Sequence, residues 1–215
     1  MWIPILAAAG ALCAIPTRIL ARRLIHNRTE EQSTSRILYG RLSLGVWMGI
    51  CMLAWSLIAA VLQGAGMVRL IQSVLVFQII LCLSAVDIVI RRIPNELLLA
   101  LLLAYAAGHT VSPGWSSFTS NLLGAVIAAA VFILPSKLGM NIGWGDVKYA
   151  TVIGFCFGLT GILQVMLVTG VSLGFYAVYL YWSRRGNLKS TAAMGPYISL
   201  GAMATMVFPV LHTIF

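Results

Sequence analysis

Apolar stretches of about bilayer-crossing length follow one another along almost the whole chain, at 3–20, 42–62, 70–90, 95–111, 118–135, 146–162, 163–183 and 194–215. A helix needs about 20 apolar residues to cross the hydrocarbon layer. The breaks between them fall on turn-forming runs: Gln63-Gly64-Ala65-Gly66, Ile93-Pro94-Asn95, Ser112-Pro113-Gly114, Gly139 to Gly145, and Arg184-Arg185-Gly186-Asn187. Between the sixth and seventh stretches only Gly158 to Gly161 offers a turn. With 9% of its residues charged and 60% hydrophobic, the chain cannot cover a water-facing surface, for which about a quarter charged is usual. The expected fold class is all-α: a polytopic integral membrane helix bundle of about 8 transmembrane helices.

Charge sets the orientation. With the N-terminus outside, the inner loops are 18–41, 91–96, 136–148 and 184–193. They hold Arg18, Arg22, Arg23, Arg28, Arg36, Arg41, Arg91, Arg92, Lys137, Lys148, Arg184, Arg185 and Lys189, which is thirteen of the fourteen basic residues; only Arg69 falls outside. Basic residues concentrate on the cytoplasmic side of membrane proteins. The net charge of +9 is therefore a topological signal and not a nucleic-acid footprint, and contact with anionic lipid of the inner leaflet is expected. The first seventeen residues carry no positive charge, and the basic cluster follows the apolar run. A secretory signal peptide has the reverse order, so 3–20 is read as a retained span, with Pro16 near its inner end. The expected organisation is a two-span region with a basic cytoplasmic loop at 1–69, then a core of about six spans at 70–215. In the basic loop Thr29 and Gln32 have the spacing of a capping box.

Cys13, Cys51, Cys82 and Cys156 all lie in apolar stretches and form no Cys-x-x-Cys pair, so they are expected to be buried thiols and not metal ligands or a disulfide framework. His26, His109 and His212 are scattered, and no metal site is expected. Glycines recur four residues apart at Gly45 and Gly49, Gly154 and Gly158, and Gly170 and Gly174. Small residues at that spacing let helices approach closely in lipid.

The chemistry rests on the acids. There are five: Glu30, Glu31, Asp87, Glu96 and Asp146. Both aspartates stand where an apolar span meets a polar break, and an ionisable group at such a place suggests function by default. Each has an ordinary alternative. Asp87 and Arg91 are four apart and suit a helical ion pair, with Pro94 and Asn95 merely ending one helix and starting the next. Asp146 suits a helix N-cap, and Glu96 a first-turn acid. The topology nevertheless puts Asp87, at the end of the third span, and Asp146, at the start of the sixth, on the same side of the membrane. The glycines flanking Asp146 would let backbone pass close to its carboxyl and to an extended substrate.

Three blocks resemble one family. They are Asp87 with Pro94-Asn95 seven residues on; Gly143-Trp144-Gly145-Asp146-Val147-Lys148; and Met194-Gly195-Pro196-Tyr197-Ile198-Ser199-Leu200-Gly201-Ala202. In order, spacing and sidedness they resemble type IV prepilin leader peptidases, membrane aspartyl proteases of the Gly-x-Gly-Asp class, over roughly 70–205. The resemblance implies that Asp87 and Asp146 are a catalytic pair cutting one peptide bond just after a short basic leader, at the cytoplasmic face of the bacterial inner membrane. It implies prepilins or pseudopilins as substrates, and shaping roles for Gly143, Gly145, Lys148, Pro94, Asn95, Gly195 and Pro196. Longer members carry paired Cys-x-x-Cys motifs in the first cytoplasmic loop, a region associated with N-methylation of the new amino terminus by S-adenosylmethionine. The loop from Arg22 to Arg41 has no cysteine. The resemblance is thus to a short form whose peptidase activity needs no cofactor, with S-adenosylmethionine required only if methyl transfer is retained.

Three other readings compete with this one. A Gly-x-Gly-Asp protease cutting within membrane helices resembles a Pro-Ala-Leu pattern that is absent from the last span. A proton-coupled transporter would use the two aspartates as relay sites, but transporters favour internal repeats and mid-membrane breaks, whereas both aspartates lie at span ends. An assembly subunit carrying two interfacial acids is the non-enzymatic alternative.

Overall fold

The structure, a computed structural model, describes residues 3–26, 41–62, 67–109, 115–137, 143–183 and 194–208. The Thr29–Gln32 pair, most of the long basic loop, the 184–193 loop and the end of the last expected span lie outside the described residues. The described residues form seven helices and no strand: α1 (Ile3–His26), α2 (Arg41–Val61), α3 (Met67–Ile90), α4 (Asn95–His109), α5 (Trp115–Lys137), α6 (Trp144–Ser183) and α7 (Gly195–Val207). Segments 44–61, 69–90 and 144–183 are long and apolar enough to cross a membrane, and shorter apolar helical runs occupy 95–107 and 118–134. This is an α-helical membrane protein. It divides into two compact units, Met1–Ser112 and Pro113–Phe215.

In the first unit α1 runs through Pro16 without ending. Proline removes one backbone donor, and the Thr17 hydroxyl lies nearby, within 3.0 Å of the Cys13 carbonyl and 3.1 Å of the Ala14 carbonyl. The same hydroxyl accepts from the Trp47 indole at 3.3 Å, joining α1 to α2. Gly10 permits the close approach of these two helices: a Cβ there would stand 2.9 Å from Trp55 Cγ and 3.0 Å from the Cys51 carbonyl. Intramembrane polar contacts then bind α3 to its neighbours. Gln78 meets the buried Cys51 thiol at 3.6 Å, and Gln72 Nε2 donates to the Tyr105 carbonyl of α4 at 3.1 Å.

In the second unit α6 is forty residues long yet is not one rod. Gly158 has φ 69° and ψ −173°, which is not helical. On a straight helix Tyr149 and Thr169 would be about 30 Å apart, at 1.5 Å per residue. Both instead touch one turn of α7: the Tyr149 hydroxyl lies 2.8 Å from Ser199 Oγ, and the Thr169 hydroxyl reaches the Tyr197 carbonyl at 3.3 Å. The helix therefore folds back at Gly158, inside the interval expected to join the sixth and seventh spans. The Leu159 N–H, freed by the break, is capped from α5 by Ser120 Oγ at 3.1 Å.

Gly154 and Gly158 pack as their spacing predicts. A Cβ on Gly154 would stand 2.8 Å from the Gly124 carbonyl carbon, and one on Gly124 would stand 2.7 Å from that of Gly158. The other two pairs do not. A Cβ at Gly45, Gly49, Gly170 or Gly174 meets nothing within 4 Å, so the same spacing there marks no close helix contact. Cys51, Cys82 and Cys156 are buried, as expected, whereas Cys13 is only half-buried.

Candidate active site

Asp87 sits one turn from the end of α3 and is 3% exposed. Its backbone carbonyl accepts the Arg91 N–H at 2.9 Å, while Arg91 takes φ 49°. That is a left-handed helix stop, in which the residue just past the helix bonds back to the carbonyl four before it. Glycine usually fills such a position, and a side-chain-bearing residue there costs about 1–2 kcal/mol. The stop also weakens the ion-pair alternative for Asp87. Having left helical geometry, Arg91 no longer follows the rule that residues four apart share a face, and its side chain is exposed. Pro94 is fully buried, and its carbonyl accepts the Leu98 N–H at 3.3 Å, so it opens α4. Asn95 follows as the first residue of that helix, exposed. Glu96 is exposed in the first turn of α4, where a negative charge suits the helix dipole.

The second aspartate is built differently from a simple cap. Gly143 supplies the capping carbonyl, accepting from Asp146 N at 3.0 Å and Val147 N at 3.3 Å. Asp146 is thus the third residue of α6 and not its N-cap. Its carboxyl turns back toward the cap, with Oδ2 3.2 Å from where a Gly143 Cβ would stand. Gly143 leaves room for the Asp146 carboxyl. Asp146 is half-buried and Gly145, between them, likewise. Lys148 is exposed two residues on. Residues two apart on a helix do not face each other, so Lys148 does not share the face of Asp146.

The third block starts α7. Met194 is its cap residue, with no side-chain cap bond, and its carbonyl accepts from Tyr197 N and Ile198 N, both at 3.1 Å. Pro196 falls in the first turn, where its missing N–H would have had no helical partner. Gly195 is buried and Pro196 half-buried. The Tyr149–Ser199 hydrogen bond, between side chains 0% and 1% exposed, ties this helix start to the one bearing Asp146. Gly143, Gly145, Asp146, Gly195 and Pro196 therefore share one end of the second unit. Asp87, Pro94 and Asn95 share the α3–α4 corner of the first. Tyr149 and Ser199 were not singled out from sequence, because a tyrosine among apolar residues carries no signal until its partner is known.

Residues 73–178 match the type IV leader peptidase family. The prepilin leader peptidase/N-methyltransferase of Burkholderia pseudomallei strain 1026b is 29% identical over 139 residues, covering 60% of this chain and 43% of that protein. The protein of the same name from Aeromonas hydrophila is 28% identical over 129 residues, covering 52% of this chain and 42% of its own length. The chain thus spans less than half the length of these curated relatives. No solved structure matches. Asp87 and Asp146 both lie inside the stretch that matches the type IV leader peptidase family.

Proposed function

We propose that this protein is a membrane aspartyl endopeptidase that removes the short basic leader from type IV prepilins or pseudopilins at the cytoplasmic face of a bacterial inner membrane. One observation carries the reading. The chain's only two aspartates lie in the family-matched stretch, one a turn from the end of α3 and the other in the first turn of α6. A prepilin is a basic leader followed by an apolar helix. The helix enters the bilayer and the leader stays in the cytoplasm, so the scissile bond arrives at the membrane edge without a deep pocket.

In the proposed chemistry one carboxylate takes a proton from water as the oxygen attacks the scissile carbonyl. The other carboxyl, protonated, gives its proton to the departing amide nitrogen as the C–N bond breaks. The products are the leader's new carboxyl terminus and the mature amino terminus. A pair sharing one proton titrates as a unit, so neither aspartate holds a fixed role. The reaction needs no cofactor. S-adenosylmethionine would be needed only if methyl transfer is retained.

The test is co-expression with a candidate prepilin, reading leader removal by gel shift and N-terminal sequencing. Asp87→Asn and Asp146→Asn should each abolish cleavage while the protein still inserts. Normal cleavage by either variant would refute the dyad, and retained cleavage by both would return the aspartates to structural or relay roles. Mass spectrometry of the mature amino terminus reads methylation in the same sample.

A further inference from the structure

The second unit holds an apolar cavity of about 260 Å³ that the two-carboxyl chemistry leaves unused. Its walls come from α5, both limbs of α6, and the start of α7, including Phe132, Ala150, Thr169, Gly170, Met194 and Ile198. An apolar cavity of about 150 Å³ stays dry and accepts a benzene ring, so this one has room for one aromatic or two aliphatic side chains.

Two features say what fits. Thr169 is the one polar side chain in the lining, and its single hydroxyl hydrogen is spent on backbone, with the Val165 carbonyl at 2.7 Å and the Tyr197 carbonyl at 3.3 Å. A polar or charged occupant would lose its water and find no donor in return. The second feature is register. Ala150 is four residues beyond Asp146, on the same face of α6 and about 6 Å further along it. An extended chain advances at most about 3.6 Å per residue. A substrate whose scissile bond lies at Asp146 therefore brings its second residue past that bond level with Ala150. Met166 and Met194 in the lining are unbranched and adapt to different shapes.

We propose that this cavity is the subsite for the first apolar side chains on the mature side of the scissile bond, selecting them by apolarity and volume and not by hydrogen bonds. The proposal rests on the peptidase reading above. It goes further in naming which substrate residues are read, and by which wall.

Gly170 provides the test. A Cβ there meets nothing within 4 Å, so Gly170→Leu narrows the cavity without displacing backbone. kcat/KM is measured on prepilins carrying Ala, Leu, Phe or Asp at the second position past the scissile bond. The wild-type protein should process the three apolar forms and process the Asp form at least about tenfold more slowly. Gly170→Leu should lower the ratio of Phe-form to Ala-form kcat/KM by at least about tenfold. Gly170→Ala should lower it by less, giving a graded series that stands even if the leucine variant fails to insert. If both variants keep the wild-type ratio, the subsite proposal is overturned while the peptidase stands; a cavity occupied only by a lipid acyl chain would give that result. If the wild-type protein cleaves no prepilin, the peptidase reading falls and takes the subsite with it.

Discussion

Replacing Gly158 by alanine should damage the second unit more than any ordinary helix substitution. Its dihedrals, φ 69° and ψ −173°, lie in a region open essentially to glycine alone, where another residue costs about 1–3 kcal/mol. An added Cβ would also stand 2.9 Å from Ser120 Oγ and 3.2 Å from Asn121 Oδ1. Moving the serine away removes the cap on Leu159 N–H, a bond worth about 0.5–1.5 kcal/mol net. The two effects together predict a loss of about 1.5–4.5 kcal/mol. Gly174→Ala is the matched control. It lies in the same helix where a Cβ meets nothing within 4 Å, so it should gain up to about 1 kcal/mol from helix propensity. Reversible unfolding in mixed micelles measures both. A loss below about 1 kcal/mol at Gly158, or an equal loss at Gly174, would refute the view that this backbone turn holds the two limbs of α6 together.

Other outcomes follow from the same geometry. Gly143→Ala places a Cβ 3.2 Å from Asp146 Oδ2 and should push the carboxyl aside by a few tenths of an ångström; cleavage should fall roughly tenfold to a hundredfold, since small misplacements of reacting groups are expensive. Full activity in that variant would show that the Asp146 position tolerates displacement. Tyr149→Phe strips Ser199 of its 2.8 Å partner and should cost about 1–3 kcal/mol, as expected for a buried hydroxyl left unsatisfied. Adding Ser199→Ala should cost less than the sum of the single changes, and strict additivity would show that the pair is not coupled. The aspartate substitutions, read by leader removal, complete the set.

Much of the candidate site was legible because the relevant signals are local. Asp87 with Pro94-Asn95, and Asp146 with Gly143 and Gly145, are short runs whose spacing survives without a fold. What misled was the assumption that spacing also settles contact. Gly170 and Gly174 have the same spacing as Gly154 and Gly158, yet only the latter pair meets a backbone, that of Gly124. Asp146 suited an N-cap by residue type, but the carbonyl of Gly143 does the capping. Arg91 stood four residues from Asp87, but its positive φ takes it off the helix face.

The chain's own order of residues determined its solvent, its helices and the ends at which its two aspartates stand. Hydropathy, charge and turn-forming residues act through sums over neighbours in sequence, and these exist before folding. Even the break near Gly158 could be read that way. Only the tertiary structure decided that Ser120 caps that break, that Tyr149 and Ser199 join two helix starts, and that an apolar cavity opens a turn beyond Asp146. Each depends on which faces of distant helices meet, and packing at sub-ångström tolerance is a property of pairs of surfaces that no single stretch of sequence contains.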